Sequence, residues 1–338
     1  MRLVKNRLGL LLLALAALAS AVAVAGCGGS SSAEGSSKKV ALVAYSTPQE
    51  AYEKLIPAFQ ATSAGKGITF SQSYGASGDQ ARAVSSGLPA SLVALSLAPD
   101  VDKLVDAGLV SDGWANDKYH GFVTDSVVVL GVRKGNPKNI HTWDDLIKPG
   151  VQVIEPNPFT SGGARWNVMA AYGAQIKQGK SPEEAQAYLE KLFKNVVVQD
   201  KSARDALQTF TSGKGDVIIS YENEAITAQQ KGKDLDYVIP DQTILIQNPA
   251  AVTKDAGPAA QKFLDFLRTP EAQKIYASKG YRPVIPSLVD KSKFPTPPQL
   301  FTIDDLGGWS DVTKKFFDPD NGIVAKIEQG LGVSTAKS

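Results

Sequence analysis

Two short stretches of the chain carry residue types suited to holding a small anion. Tyr74-Gly75-Ala76-Ser77-Gly78-Asp79-Gln80 and Pro158-Phe159-Thr160-Ser161-Gly162-Gly163-Ala164-Arg165 each set a hydroxyl and one or two glycines just before a run that reads as helix. A helix start leaves its first backbone N–H groups unpaired, and glycine lets a ligand approach that backbone closely, so such a turn suits an oxyanion. Serine adds one more donor. For an isolated Ser-Gly turn a plain helix cap is the commoner explanation, so the rest of the chain has to decide.

Strands and helices alternate around these turns. Lys39 to Tyr45 is a short apolar strand, and Thr47-Pro48 sets a hydroxyl before a proline, which predicts a helix start. Tyr52, Leu55, Ile56 and Phe59 recur at three and four residues and give that helix a buried stripe, which Pro57 should kink or shorten. Further strands are expected over Ile68 to Ser73, Leu92 to Leu97, Phe122 to Val132, Val217 to Ile219 and Thr243 to Val252. Ser181-Pro182-Glu183-Glu184 is a capping box for a helix through Phe193, and Thr269-Pro270 opens a helix ending at Gly280. The alternation implies α/β sheets with ligand turns at strand ends.

Residues 1–26 read as an address. Arg2, Lys5 and Arg7 precede an apolar run from Leu10 to Val24, and Val24-Ala25-Gly26-Cys27 has the small-residue form of a lipoprotein cleavage site. Cys27 is therefore expected to be diacylated, with residues 27–39 a Ser/Gly-rich tether. It is the single cysteine, so no intramolecular disulfide forms, and with His120 and His141 far apart no zinc site is expected. A net charge of +2 with 43% apolar residues describes an ordinary globular protein, with no basic stripe or aromatic platform for nucleic acid.

Both anion-suited stretches resemble the signature segments of the sulfate-binding protein family, the extracytoplasmic receptors of sulfate/thiosulfate importers. Leu95-Ser96-Leu97-Ala98-Pro99-Asp100-Val101-Asp102, Val132-Arg133-Lys134-Gly135-Asn136-Pro137-Lys138, Trp143-Asp144-Asp145-Leu146-Ile147-Lys148-Pro149-Gly150 and Glu222-Asn223-Glu224-Ala225 extend the likeness over roughly residues 40 to 285. The resemblance implies a type II periplasmic-binding-protein fold: two α/β lobes joined by two extended crossovers, near residues 120 to 124 and 240 to 248. The first lobe would take 40–121 plus 245–330, the second 122–244.

The resemblance also implies the site. Ligand donors fall on Thr47, Ser77, Ser161, Gly162, Gly163 and Ala203, chiefly as backbone N–H groups with a hydroxyl at Ser161. Tyr221 stands where the family commonly has a tryptophan whose indole N–H reaches the anion, and Thr47 where aspartate is usual. Arg82, Arg165 and Arg204 are expected behind the donor turns, bonding carbonyls that polarise them. Implied partners are sulfate or a related tetrahedral oxyanion (thiosulfate, molybdate, tungstate or phosphate) and the permease subunits of an ABC importer. No cofactor, no metal and a monomer are expected. The rival class is an extracytoplasmic serine hydrolase using Ser77 or Ser161, but Gly75-Ala76-Ser77-Gly78-Asp79 misses the nucleophile-elbow spacing and neither histidine lies in a triad context.

Overall fold

Residues 38–333 and Thr335 are described by the computed structural model, so the leader and Cys27 lie outside the described residues. In chain order the elements are β1 (Lys39–Tyr45), α1 (Gln49–Ala61), β2 (Thr69–Gly75), α2 (Ser77–Ser85), β3 (Leu92–Ala94), α3 (Ala98–Asp106) and β4 (Phe122–Arg133). There follow β5 (Val153–Ile154), α4 (Gly162–Lys177), α5 (Pro182–Lys194), β6 (Val196–Val198), α6 (Ala203–Thr211), β7 (Val217–Tyr221), α7 (Glu222–Gln230), β8 (Leu235–Val238) and β9 (Gln242–Val252). The chain ends through α8 (Pro258–Leu267), α9 (Pro270–Ser278), β10 (Gln299–Phe301), α10 (Gly308–Phe317) and α11 (Ile323–Gly330).

β1 is buried on both faces: Val40, Leu42 and Ala44 enter one hydrophobic cluster and Val43 another on the opposite side. That period of two, with helices over both faces, is why the strand reads as continuously apolar. α1 buries Tyr52, Leu55, Ile56 and Phe59 as their spacing predicts. Pro57 does not shorten it, because Pro57 and Glu53, whose carbonyl it displaces, both lie on the solvent face. The helix begins one residue later than expected, with Pro48 at the boundary and no side-chain cap. The capping residues of the sequence fare better: the Ser181 hydroxyl accepts from Glu184 N–H at 3.2 Å, and Thr269 accepts from Ala272 N–H at 3.3 Å.

Ten strands form one sheet path, β2-β1-β3-β9-β4-β7-β5-β6, with β10 on β9 and β8 on β4. Its two halves are parallel within themselves: β1 pairs with β2 and β3, and β5 pairs with β6 and β7, all parallel. Two long antiparallel strands join them. β4 gives Phe122 to Val127 to β9 and Val128 to Val132 to β7, while the end of β9 pairs with β3. Pro249, which lacks an N–H, sits where the β4–β9 register shifts between Phe122 and Thr124. Both strands run through the residues at which the crossovers are expected.

The C-terminal stretch, expected with residues 40–121, packs mainly over α4 and α5, and α10 also meets α3. Phe301, Ile303, Val312, Phe316, Phe317, Val324 and Ala325 share a cluster with Trp166, Ala170, Leu189 and Leu192 of α4 and α5. α4 is buried on every side from Gly162 to Gln175, and a Cβ on Gly173 would lie 2.3 Å from the Phe301 ring. A helix of mostly small and apolar residues needs such a cover, and residues from 299 onward supply it.

Candidate functional site

Parallel strands point their carboxyl ends the same way, and each half of the sheet delivers its turns to a common crevice. β1 ends at Ser46-Thr47, β2 at Ala76-Ser77, β6 runs on to Ser202-Ala203, and β7 ends at Tyr221; the loop after β5 reaches Ser161. These meet around a tight cavity with about 10 Å³ of water-accessible space, lined by Tyr45, Ser46, Thr47, Gly75, Ala76, Ser77, Ser96, Ser161, Gly163, Ser202, Ala203 and Tyr221. None of these side chains is charged at neutral pH. Burial pushes the phenols of Tyr45 and Tyr221 further up, so both stay protonated. A larger groove of about 390 Å³ lies outside, between α6 and α7, lined by Glu50, Glu224, Lys231 and Lys233 among others. Its wall carries two carboxylates, Glu50 and Glu224, and its Arg204 and Lys231 are paired with them, so the smaller cavity is the better anion site.

The donors are free. Among the described residues the backbone N–H groups of Ser77, Gly162, Gly163 and Ala203 bond to no acceptor, as the first positions of helices require, and neither does that of Thr47, just ahead of α1. Ser161 departs from this set, because its own N–H goes to Asn157 O at 2.8 Å. Its hydroxyl accepts from Ala164 N–H at 3.3 Å as the N-cap of α4, which leaves the hydroxyl proton available. In Ser77 the situation is reversed: its hydroxyl donates to Asp100 Oδ2 at 2.7 Å and accepts from Ser96 N–H at 2.9 Å, leaving the backbone as its donor. Burial alone would raise the Asp100 carboxyl, but Lys103 and Arg165 hold it below the usual range, so it remains an acceptor. Tyr221 is itself the residue before α7, so a fifth helix start adjoins the cavity.

Sequence reasoning missed Ser96. It lies beyond the short β3, is fully buried, and its hydroxyl is 2.7 Å from the Tyr221 hydroxyl across the cavity. Its carbonyl accepts from Trp166 Nε1 at 2.9 Å and from Asn248 Nδ2 at 2.8 Å, so the joining strand β9 also fixes it. The signal available was its place in the Leu95-Ser96-Leu97-Ala98-Pro99 segment, just before a helix start.

The three arginines do different things. Arg204 bonds a carbonyl of a donor turn: it donates to Thr47 O at 3.0 Å across the crevice, binds Glu50 at 2.5 and 2.7 Å and binds Glu224 at 2.8 Å. Burial opposes the charge on Glu50, but bonds from Arg204 and Lys231 pull its carboxyl down to about 2. Glu224, with no exposure, is moved the other way because burial outweighs Arg204. Arg165 donates to Pro158 O at 2.9 Å, just upstream of the Ser161 turn. Arg82 instead pairs with Asp79 three residues earlier, which also meets Lys201 at 3.1 Å, and it bonds no carbonyl among the described residues. His120 and His141 are exposed in loops, and no cluster of three metal-ligating side chains occurs among the described residues.

Comparison with known proteins gives this arrangement a family. A sequence model described as bacterial extracellular solute-binding protein matches residues 40–282. The sulfate-binding protein of Synechococcus elongatus is 44% identical over 322 residues, covering 90% of this chain and 92% of that one. The thiosulfate-binding protein of Pseudomonas aeruginosa is 36% identical, covering 84% and 90% respectively. Among solved structures, the sulfate-binding protein SubI from Mycobacterium tuberculosis H37Rv superposes with a TM-score of 0.81 at 43% identity, covering 83% of this chain and all of that one. The chain belongs to the bacterial extracellular solute-binding proteins and, within them, to the sulfate-binding protein family.

Proposed function

We propose that this chain captures sulfate between two lobes and hands it to the permease of an ABC importer. The observation that carries this reading is the convergence of unpaired helix-start N–H groups on one small cavity with no charged lining residue. Sulfate is fully ionised at neutral pH and only accepts hydrogen bonds, so a wall of donors matches it. Each helix start adds a favourable dipole of about 0.3–1 kcal/mol when exposed, and more when partly buried. Phosphate near neutrality still carries a proton, and a donor facing that proton costs about 1–3 kcal/mol. Thr47, Ser77, Ser161, Gly162, Gly163, Ala203 and Tyr221 form the binding set in this reading, with Arg165 and Arg204 behind it. Calorimetric titration of the purified chain with sulfate, thiosulfate, molybdate, tungstate and phosphate tests it. Sulfate binding tightest is the expected result; a preference for thiosulfate or molybdate would reassign the ligand.

The lobes of this reading are 40–121 with 245–298, and 122–244 with the C-terminal cover from 299 onward. Trp166 to Ser96, Arg204 to Glu50 and Gly78 N–H to Thr160 O at 3.1 Å cross between them, which supports a closed clamp. The role is binding rather than catalysis: the Ser77 hydroxyl proton is committed to Asp100, and both histidines are exposed in loops while Ser77 and Ser161 are buried. Cys27 is the proposed lipid attachment, and Cys27→Ser should move the protein from membrane to soluble fraction. Durable anchoring needs two acyl chains, so partial acylation would also show as release.

A further inference from the structure

We propose that Ser96 and Tyr221 work as one hydroxyl couple that offers the bound oxyanion a single, reversible hydrogen bond. The inference rests on the oxyanion reading of the cavity. The two oxygens are 2.7 Å apart, both side chains are buried and both line the cavity, one from each side of the crevice. Each hydroxyl has one proton and free lone pairs. Whichever donates to the other, one proton is used in the bond between them and one remains to turn toward the ligand. The backbone of Ser96 is fixed on both sides, since its N–H goes to Ser77 and its carbonyl is shared by Trp166 and Asn248. Of the other cavity hydroxyls, Ser77 is committed to Asp100 and Ser202 to Asp205 Oδ2 at 2.7 Å, while Ser161 keeps its proton as the family resemblance implies.

Two consequences follow from the chemistry of a couple. The first is redundancy. Removing either hydroxyl frees the proton of the other, so one donor still reaches the anion. The second is reversibility. An indole N–H only donates, whereas the couple turns around to present a lone pair to a ligand oxygen that carries a proton. The cavity therefore discriminates less sharply against monohydrogen phosphate than one built with indole alone.

A double-mutant cycle on the purified chain, read by calorimetry with inorganic sulfate and inorganic phosphate at fixed pH, tests both. Ser96→Ala and Tyr221→Phe should each change sulfate affinity by less than about fivefold, and the double variant should lose about ten- to a hundredfold. A tenfold loss in Tyr221→Phe alone with none in Ser96→Ala assigns the donor to the tyrosine and overturns the couple. Additive losses, or a double variant that binds as the parent does, overturn it as well. Tyr221→Trp in the Ser96→Ala background keeps a donor and removes both hydroxyl acceptors, so it should retain sulfate binding and raise the preference for sulfate over phosphate by about tenfold or more. An unchanged preference in this sulfate-binding variant overturns the reversible half. A parent chain that binds thiosulfate and not sulfate corrects the ligand alone, and the same cycle is then read on thiosulfate.

Discussion

At the scale of single residues, the two glycines of the Ser161 turn have separable duties. A Cβ on Gly163 would lie 3.2 Å from Ala203 Cβ and 3.6 Å from Tyr221 Cε1, inside the cavity wall. Gly163→Leu should therefore fill the anion's space and abolish sulfate binding in a folded protein, measured by titration alongside thermal denaturation; unchanged affinity would sink the site. A Cβ on Gly162 would instead lie 2.5 Å from Leu97 Cδ2 and 2.8 Å from Ser96 Cβ, atoms of the opposite side. Gly162→Ala should hold the crevice ajar, and small-angle scattering should report a larger radius with sulfate than the parent shows. Ser161→Ala removes a donor to a charged acceptor, about 1.5–3 kcal/mol of affinity, and also a helix cap worth about 1 kcal/mol of stability. Glycine and serine before a helix drew attention to this turn, while the expected site set came from the family resemblance. Ser96 was not legible, since a serine at a strand end looks the same whether or not a tyrosine from far along the chain meets it.

At the scale of elements, α1, α6 and α7 are tied by one guanidinium. Arg204 of α6 holds Glu50 of α1 and Glu224 of α7, and Glu224 is fully buried. Replacing Arg204 with Met leaves that carboxylate without its counterion, a change that costs about 3–5 kcal/mol in comparable buried pairs. Urea denaturation should show the loss, and Arg204→Lys should recover only part of it because a point charge cannot bridge two carboxylates in the same fork. α11 carries a second buried acid. Glu328 has no exposure, both of its oxygens lack a hydrogen-bond partner among the described residues, and burial raises its carboxyl to about 7, with Gln199 opposing only weakly. Glu155 is also raised by burial and by the charge of Glu328, against the Asn167 amide. Folding thus favours the protonated form of Glu328, so its contribution is whole below about pH 4.5 and declines as pH rises through about 7. Melting temperature should fall across that window, and Glu328→Gln should flatten the profile; an identical profile in the variant would refute the assignment. The sequence announced α1, α5 and α9 through caps and periodic apolar residues, but a carboxylate inside a core has no sequence signature of its own.

At the scale of the whole molecule, the alternation of strands and helices and the long apolar runs at β4 and β9 made the architecture legible, while the place of the C-terminal cover was not. Residues 299 onward carry ordinary amphipathic spacing, and nothing in that spacing says which half they will cover. Gly173 gives Phe301 room against α4. Closure of the two halves on the anion should lower the radius of gyration when sulfate is added, and leave it unchanged when Gly163→Leu fills the cavity.

The strand β9 belongs to both halves, and this has a consequence for the order in which the molecule assembles. β3 finds its outer neighbour only after the chain has run through the entire second half and returned, so the first half cannot complete its sheet from its own leading segment. Bringing such distant segments together costs loop-closure entropy before any pairing offsets it. The contiguous stretch from β4 to β8 carries a smaller closure cost and should acquire structure first. In pulse-labelled hydrogen exchange during refolding, amides of the β4–β7 ladder such as Leu130 should be protected before those of the β3–β9 ladder such as Val93. Protection in the reverse order would mean that the first half nucleates without its last strand. During synthesis and export the same logic leaves β3 with an open edge until β9 arrives, and that interval is when this chain is most exposed to mispairing.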